Sequence, residues 1–419
     1  MFLLKAQKSD VHPILCLFLK GVNMENKGKS GAWQTFSIWF GLGALMFGTY
    51  CGANMASGVY ASQYIVTLGG GWALVWLLIF FAAMAFFCVT GLNFVRAYKV
   101  SNYNSYYLAL YGLEKPDSNP TLKMIVTIFF DIYSTMMGLV TVGATIALFS
   151  QLMNQLFGIS NTVASIGGVL LFAALTVNGA GFLRKFNGVM TVTLIVSLVA
   201  IMIAVFAIRG DVIAARIGNF EEGPNWGVST VGAHLSMFLA YCATCSQWGS
   251  SLSNYGDRLR NQKDAIGSGI MIGALVTLLF VMTGIIVLPF MPDVVSDSAP
   301  ILTICQKYLP PVLTAVYWVV VVFSVVSTAP SFTFNFTNRW ATVWKSDKVS
   351  HKMKFFILST GYLLVCWFIS RVGLIAIVNK GYTLLGKIAL PTIVLPLIIS
   401  IPRVMKKNRE EREQQKQQA

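Results

Sequence analysis

The chain has 419 residues, 56% of them apolar and 11% charged, with a mean hydropathy of +0.67. That balance excludes a soluble globular domain and a disordered chain, and it leaves a polytopic helical membrane protein. The apolar runs are long and continuous, unlike the short alternating segments of a membrane β-barrel. A net charge of +15 would suit a nucleic-acid binder, but the placement of the basic residues gives it another meaning.

In chain order, residues 1–33 read as a cytosolic segment, with 1–23 as an upstream extension because Ile14 to Leu19 is too short to span or to form a signal core. Ten spans follow, at 35–66, 71–97, 121–152, 160–178, 186–208, 229–255, 264–290, 312–338, 353–370 and 377–402, each near the ~20 residues that a bilayer requires. They group into a first five-helix unit at 34–208, an extracellular loop at 209–228, a second five-helix unit at 229–402 and a charged cytosolic tail at 403–419. With the N-terminus inside, 25 of the 31 Lys and Arg residues fall on cytoplasmic segments, and the six others are Arg209, Arg216, Lys307, Arg371, Lys380 and Lys387. This is the positive-inside bias. It places both termini in the cytoplasm and accounts for the charge without nucleic acid. Trp33, Trp39, Trp72, Trp226, Trp340 and Trp344 fall near span ends, where interfacial anchors belong.

Five spans per half turn the second half upside down relative to the first, the inverted-topology repeat of secondary transporters. The equivalent spans 1 and 6 also echo each other. Gly41–Gly58 and Gly232–Gly249, 191 positions apart, share six of 18 aligned residues: Gly41/Gly232, Met46/Met237, Phe47/Phe238, Tyr50/Tyr241, Cys51/Cys242 and Gly58/Gly249. Each has a polar, small-residue centre. The fold expected is therefore all-α and membrane-integral, with ten transmembrane helices in two inverted repeats and helices 1 and 6 broken. The breaks fall at Gly48–Asn54 and Tyr241–Gln247. Unwound backbone at mid-depth must be buried in protein or line a cavity. The half-helix beginning near Met55 would point amides, the positive dipole end, into that cavity, and the one ending near Phe47 would offer carbonyls. Such a site suits an amino acid zwitterion. The competing reading is that these glycines only let helices pack closely. By position, Gly52, Ala53, Asn54, Met55, Met137, Thr141, Tyr241, Ala243, Thr244 and Gln247 would bind the solute.

The motif Gly52-Ala53-Asn54-Met55-Ala56-Ser57-Gly58 resembles the G-A-G-F-A-S/T-G signature in span 1 of a family of bacterial integral membrane proteins within the amino acid–polyamine–organocation superfamily. The chain departs from it at Asn54, where the family has glycine, and at Val59-Tyr60, where close relatives often carry Gln-Glu. The resemblance implies a five-plus-five transporter core in which spans 1, 2, 6 and 7 rock against spans 3, 4, 8 and 9. It also implies a sodium site between the span 1 break and span 8. Ser327 and Thr328 would supply hydroxyls, and Gly48, Cys51 and Ser324 main-chain carbonyls. The alternative for these hydroxyls is a bond to their own helix. Some proton-coupled relatives place a lysine in span 5, and none lies between Phe186 and Ile208.

Asp131 is an acid inside span 3, where a carboxylate is costly and a function is expected. It is a candidate proton site, ion ligand or half of an inner gate, and its structural alternative is an ion pair tying helices. Lys387 reads as snorkelling to the interface or as an outer-gate charge, and His234 as packing. The seven cysteines, Cys242-x-x-Cys245 included, read as small buried residues rather than as a disulfide framework or metal site. The sequence carries no H-E-x-x-H, P-loop or paired intramembrane acids for enzymatic chemistry. The expected function is sodium-coupled symport of a small amino acid or amine-bearing metabolite across the plasma membrane by alternating access. The alternatives are proton coupling through Asp131 and a non-transporting sensor with a transporter fold. The expected partners are a small solute and the bilayer, with the chain as monomer or homodimer and no cofactor beyond the coupling ion.

Overall fold

The structure is a computed structural model, and it describes residues 31–50, 52–100, 102–177, 180–220, 231–345 and 348–418. The segment 1–23, Trp226 and the side chain of His234 lie outside that description. The described residues form helices α1 (Gly31–Tyr50), α2 (Ala53–Ala56), α3 (Gly70–Tyr98), α4 (Tyr103–Leu110), α5 (Pro120–Phe157), α6 (Asn161–Val177), α7 (Ala180–Gly218), α8 (Val231–Thr244), α9 (Trp248–Ser251), α10 (Gln262–Val287), α11 (Pro300–Tyr308), α12 (Pro311–Val343), α13 (His351–Ser370), α14 (Leu374–Ala376), α15 (Tyr382–Ala389) and α16 (Leu395–Gln418), joined in places by short 3₁₀ and π turns. Seven segments are long and apolar enough to cross a membrane. The shorter apolar helix α6 and two interrupted segments occupy the remaining places of the expected spans. The protein is a multi-pass membrane protein.

Small residues bring these helices together. A Cβ on Gly269 of α10 would lie 2.6 Å from the amide nitrogen of Val89, and one on Gly273 3.0 Å from Ala85, both on α3. Close approach of this kind replaces the hydrophobic drive that lipid cannot supply between helices. Two helices stand where the sequence reading has loops. Asn102 and Ser105 form a capping box that starts α4, with Ser105 N–H donating to Asn102 Oδ1 at 2.8 Å. Pro300 opens α11, its fixed φ already suited to a first helical position. The outer segment expected from residue 209 begins inside α7, which bends at Arg209 (φ −141°, ψ 23°) and runs on to Gly218.

The charged tail is helical to Gln418 and docked. Arg96 at the end of α3 pairs with Glu411 at 2.6 Å, Lys407 lies 3.7 Å over the Tyr98 ring, and Arg403 donates to the carbonyl of Leu110 at 2.8 Å.

The first span is interrupted. Helix α1 ends at Tyr50, Cys51 lies outside the described residues, Gly52 is non-helical, and α2 lasts one turn before Ser57 and Gly58 (φ +87°). The backbone polar groups freed by this interruption have partners. The amides of Met55 and Ala56 donate to Gly52 O at 3.0 and 3.1 Å, and that of Val59 to Ser57 Oγ at 3.3 Å. The carbonyl of Ala56 accepts from the Tyr317 phenol at 2.9 Å, and that of Ser57 from the Ile301 amide at 3.1 Å.

The sixth span is interrupted within the expected stretch, by tightening and not by unwinding. It does not unwind across Tyr241–Gln247: α8 continues to Thr244 and tightens into a 3₁₀ turn at Cys245–Gln247. Thr244 (φ −59°, ψ −35°) and Trp248 (φ −63°, ψ −27°) keep helical angles across it. Tyr241–Gln247 contains no glycine, and the two of the segment, Gly232 and Gly249, lie outside it. It therefore lacks the glycine-rich run that lets span 1 leave helical space cheaply.

Replacing Tyr317 with Phe should orphan the buried carbonyl of Ala56 while keeping the ring. A loss of roughly 1–3 kcal/mol is expected, read as a lowered melting temperature of purified protein in detergent; wild-type melting would show that this carbonyl needs no partner.

Candidate functional site

The interrupted first span faces the tightened sixth across a cavity of about 40 Å³, room for about three waters. Gly52 and Met55 form one side, Met137 and Thr141 of α5 another, and Thr328 and Phe332 of α12 a third. Span 6 contributes Tyr241, Thr244, Cys245 and Trp248, and Tyr60 and Tyr382 complete the lining. No ionisable Asp, Glu, Lys, Arg or His is among these residues. The Tyr60, Tyr241 and Tyr382 rings pack steeply tilted to one another, with centroids 5.5 to 5.8 Å apart. Edge-to-face geometry of this kind makes a rigid aromatic corner.

The structure brings together Gly52, Met55, Met137, Thr141, Tyr241 and Thr244 from the expected solute-binding set. The side chains of Ala53 and Asn54 lie outside the described residues. Ala243 and Gln247 are not in the lining. Because span 6 stays helical, Tyr241, Thr244, Cys245 and Trp248 share one face at the 3.6-residue period. Ala240 and Ala243 face the other way. They line a separate crevice of about 560 Å³ against Gly386 and Lys387 of α15. Reading span 6 as a helix from the start would have selected Cys245 and Trp248 and dropped Ala243. Tyr382 gave no sequence signal, since it lies in a segment where the start of span 10 is blurred. Its own local feature is the π turn at Ile377–Gly381 just before it, a kind of bulge frequent at functional sites.

The hydrogen bonds of the lining are specific. Thr141 donates to Met137 O at 2.9 Å, Thr244 lies 3.0 Å from both Ala240 O and Tyr382 O, and Thr328 donates to Ser324 O at 2.9 Å. Each threonine proton is thus turned to main chain, and each oxygen keeps a lone pair for the cavity.

Among the residues expected around an ion, Thr328 and Ser324 are buried in α12. Gly48 lies in the last part of α1, while Cys51 and the side chain of Ser327 lie outside the described residues. Gly52 meets α12 closely: a Cβ there would sit 2.9 Å from Thr328 Oγ1. That approach holds the interruption of span 1 against the middle of span 8.

Asp131 does not reach the cavity. Its two carboxylate oxygens are engaged by Arg339 of α12, Nε to Oδ1 at 3.0 Å and Nη2 to Oδ2 at 2.7 Å, and the Tyr103 phenol of α4 also donates to it. Burial, and then this bond to the carboxylate, push the Tyr103 phenol above its usual range. Of the readings open for Asp131, the ion pair tying helices is the one with geometry. It joins α5, α12 and α4 at the basic end of the bundle.

No protein-family model matches the chain, and no curated protein matches it by sequence. Solved structures match it in fold. A Na+-coupled sialic acid symporter in a substrate-bound outward-open state shares 13% identity over 91% of this chain and 83% of its own, with a TM-score of 0.59. The manganese transporter of Eremococcus coleocola shares 16% identity over 90% and 82%, with a TM-score of 0.59. MhsT in complex with L-phenylalanine shares 14% over 83% and 87%, with a TM-score of 0.57. The chain has the inverted-repeat fold of these membrane transporters.

The Asp131–Arg339 pair should show coupling in a double-mutant cycle. Asp131→Asn and Arg339→Gln should each lower the melting temperature, and the double variant should lose less than their sum, by about 1 kcal/mol; strict additivity would mean that the two charges do not hold one another.

Proposed function

We propose that the protein is a secondary active transporter that carries a small amino acid or amine-bearing metabolite by alternating access, coupled to sodium. The observation that carries this reading is the central cavity, lined by the interrupted first span, the tightened sixth, and spans 3, 8 and 10. A transporter site at mid-depth sits where two inverted repeats meet. The cavity is narrow, about 40 Å³, and movement of its walls would widen it for a solute, as alternating access supposes. Its threonine oxygens face inward as acceptors, which suits a solute bearing N–H donors.

Sodium coupling draws support from two sources. One similar structure is a Na+-coupled symporter. The meeting of Gly52 with Thr328 sets the first-span interruption beside the hydroxyl-bearing stretch Ser324–Thr328. The ion would take hydroxyl oxygens from Ser327 and Thr328 and carbonyl oxygens from Gly48, Cys51 and Ser324, neutral hard donors that suit a small hard cation. To ligate an ion, Thr328 need not give up its bond to Ser324 O, because a hydroxyl offers lone pairs while donating. Proton coupling through Asp131 is disfavoured by the guanidinium already bound to both its oxygens. The remaining solute residues, Ala53 and Asn54, stand as proposed contacts of the first-span turn.

In proteoliposomes, an inward sodium gradient should drive accumulation of an amino acid or amine. Thr328→Val should weaken apparent sodium affinity roughly three- to tenfold, as expected for one lost ligand oxygen. Uptake that follows a pH gradient instead, and is abolished by Asp131→Asn, would replace sodium with protons. Solute binding without uptake under any gradient would make the protein a sensor.

A further inference from the structure

The sequence reading assigns the acid group of a zwitterion to free main-chain amides at the two breaks. The structure takes two of those donors away. The amides of Met55 and Ala56 are spent on Gly52 O, and span 6 keeps its helical track through Cys245–Gln247. A side-chain donor is also placed for a carboxylate in this cavity.

Tyr382 and Thr141 face each other across the cavity with their oxygens 3.1 Å apart. Thr141 has one hydroxyl proton, and Met137 O takes it at 2.9 Å. With that proton on Met137 O, the Tyr382 phenol is left as the donor of the 3.1 Å bond. An O–H···O bond of that length is well beyond the usual 2.7–2.8 Å, so it is weak and cheaply exchanged. Breaking it uncovers one donor, the Tyr382 O–H, and one acceptor, the Thr141 oxygen. These are the two complements that a zwitterion needs.

We propose that the Tyr382–Thr141 bond is a placeholder that an amino acid replaces, its carboxylate taking the Tyr382 phenol proton and its ammonium taking the Thr141 oxygen. This rests on the transport reading and narrows the solute to one carrying both charges, not an amine alone. The exchange trades a long neutral hydrogen bond for charge-assisted ones, which are about twice as strong. Tyr382 is fixed for this role by its neighbours. Its carbonyl receives Thr244 Oγ1 at 3.0 Å, and its ring packs on Tyr60 and Tyr241 at 5.7 and 5.8 Å. The residue thereby joins span 10 to spans 1, 3 and 6 at a single point, and the helix start after the π turn at Ile377–Gly381 sets its register. No basic side chain lines the cavity among the described residues, so an arginine or lysine does not compete for the acid group.

The test is a binding comparison on the purified full-length protein with sodium present. The standard L-amino acids are set against the amines left when their carboxylate is removed, with affinity read by thermal shift and confirmed by calorimetry. The best-bound amino acid should exceed its amine by about tenfold or more, the effect of one hydrogen bond to a charged group. Tyr382→Phe should lower the amino acid about tenfold and leave the amine unchanged, erasing the preference. Thr141→Val should weaken both alike, because both carry the ammonium, and Thr141→Ser should restore both. A preference that survives Tyr382→Phe would assign the acid group to the main chain of span 1 and overturn the proposal, as would an amine that binds as well as its amino acid. Sodium-driven uptake of a solute lacking either charge would likewise overturn it while leaving the transport reading intact. Absence of gradient-driven uptake of any solute would remove the transport reading itself.

Discussion

Two carbonyl groups set the terms for the centre of this protein. Where span 1 leaves its helix, the oxygens of Ala56 and Ser57 are bonded from other elements. Lipid offers no such partner, and an unpaired peptide group at that depth costs several kcal/mol. The Tyr317 phenol and the Ile301 amide take them. One belongs to span 8 and the other to the outer helix α11, so the interruption can exist only while those elements stand where they do. The same contact brings Gly52 against Thr328 and opens the cavity beside it. Broken helix, neighbouring hydroxyls and cavity are thus one construction rather than three features.

Beyond the cavity, the bundle is closed at its basic end by a chain of polar contacts through α4. Tyr103 of this short helix binds the Asp131–Arg339 pair, its Tyr107 phenol meets Ser250 Oγ of span 6 at 2.9 Å, and its Leu110 carbonyl receives Arg403 from the tail. Helix α4 therefore holds both spans of the scaffold and the inner half of span 6. Movement of span 6 away from α5 and α12 would have to break contacts at this helix, which gives the Asp131 pair mechanical consequence away from the cavity. At the other end, the outer half of span 1 is tied by the Tyr64 phenol to the Val378 carbonyl at 2.8 Å and by Gln63 to Asn379 at 2.9 Å. Both partners lie in the π turn of span 10, so the same bulge positions Tyr382 and anchors span 1.

Much of this was legible in the sequence because it rests on patterns that lipid enforces. Apolar runs, the side preference of Lys and Arg, and the doubled motif around Gly41–Gly58 and Gly232–Gly249 located the helical spans and pointed to the region of the cavity. The glycines at 48, 52 and 58 marked span 1 as breakable, and its interruption falls among them. The sixth span is interrupted in a different way from the first. It has the motif's Tyr-Cys pair and outer glycines but none at the places of Gly48 and Gly52, and there the backbone tightens and does not unwind. That single difference moves Ala243 off the site and brings Cys245 and Trp248 onto it. Tyr60 stands out in the sequence only as a departure from the span 1 signature, and Tyr382 not at all, because an aromatic residue in an apolar run reads as core and only the meeting of several spans turns it toward the cavity. The partner of Asp131 was likewise out of reach, since Arg339 lies 208 positions away and no local spacing connects them.

The central claim is that water and solute reach mid-membrane between the interrupted first span and the turn of the sixth. Cys245 reports on it directly, because it lines the cavity, whereas Cys242 lines the crevice on the other face of the same helix. With the remaining cysteines replaced, the modification rate of each by a charged, membrane-impermeant thiol reagent can be followed in proteoliposomes. The account predicts that Cys245 reacts and Cys242 does not, and that bound solute with sodium slows the reaction at Cys245. Equal inertness of both to the charged reagent, with both labelled by a lipid-soluble one, would show that the cavity never opens to water and would contradict the account.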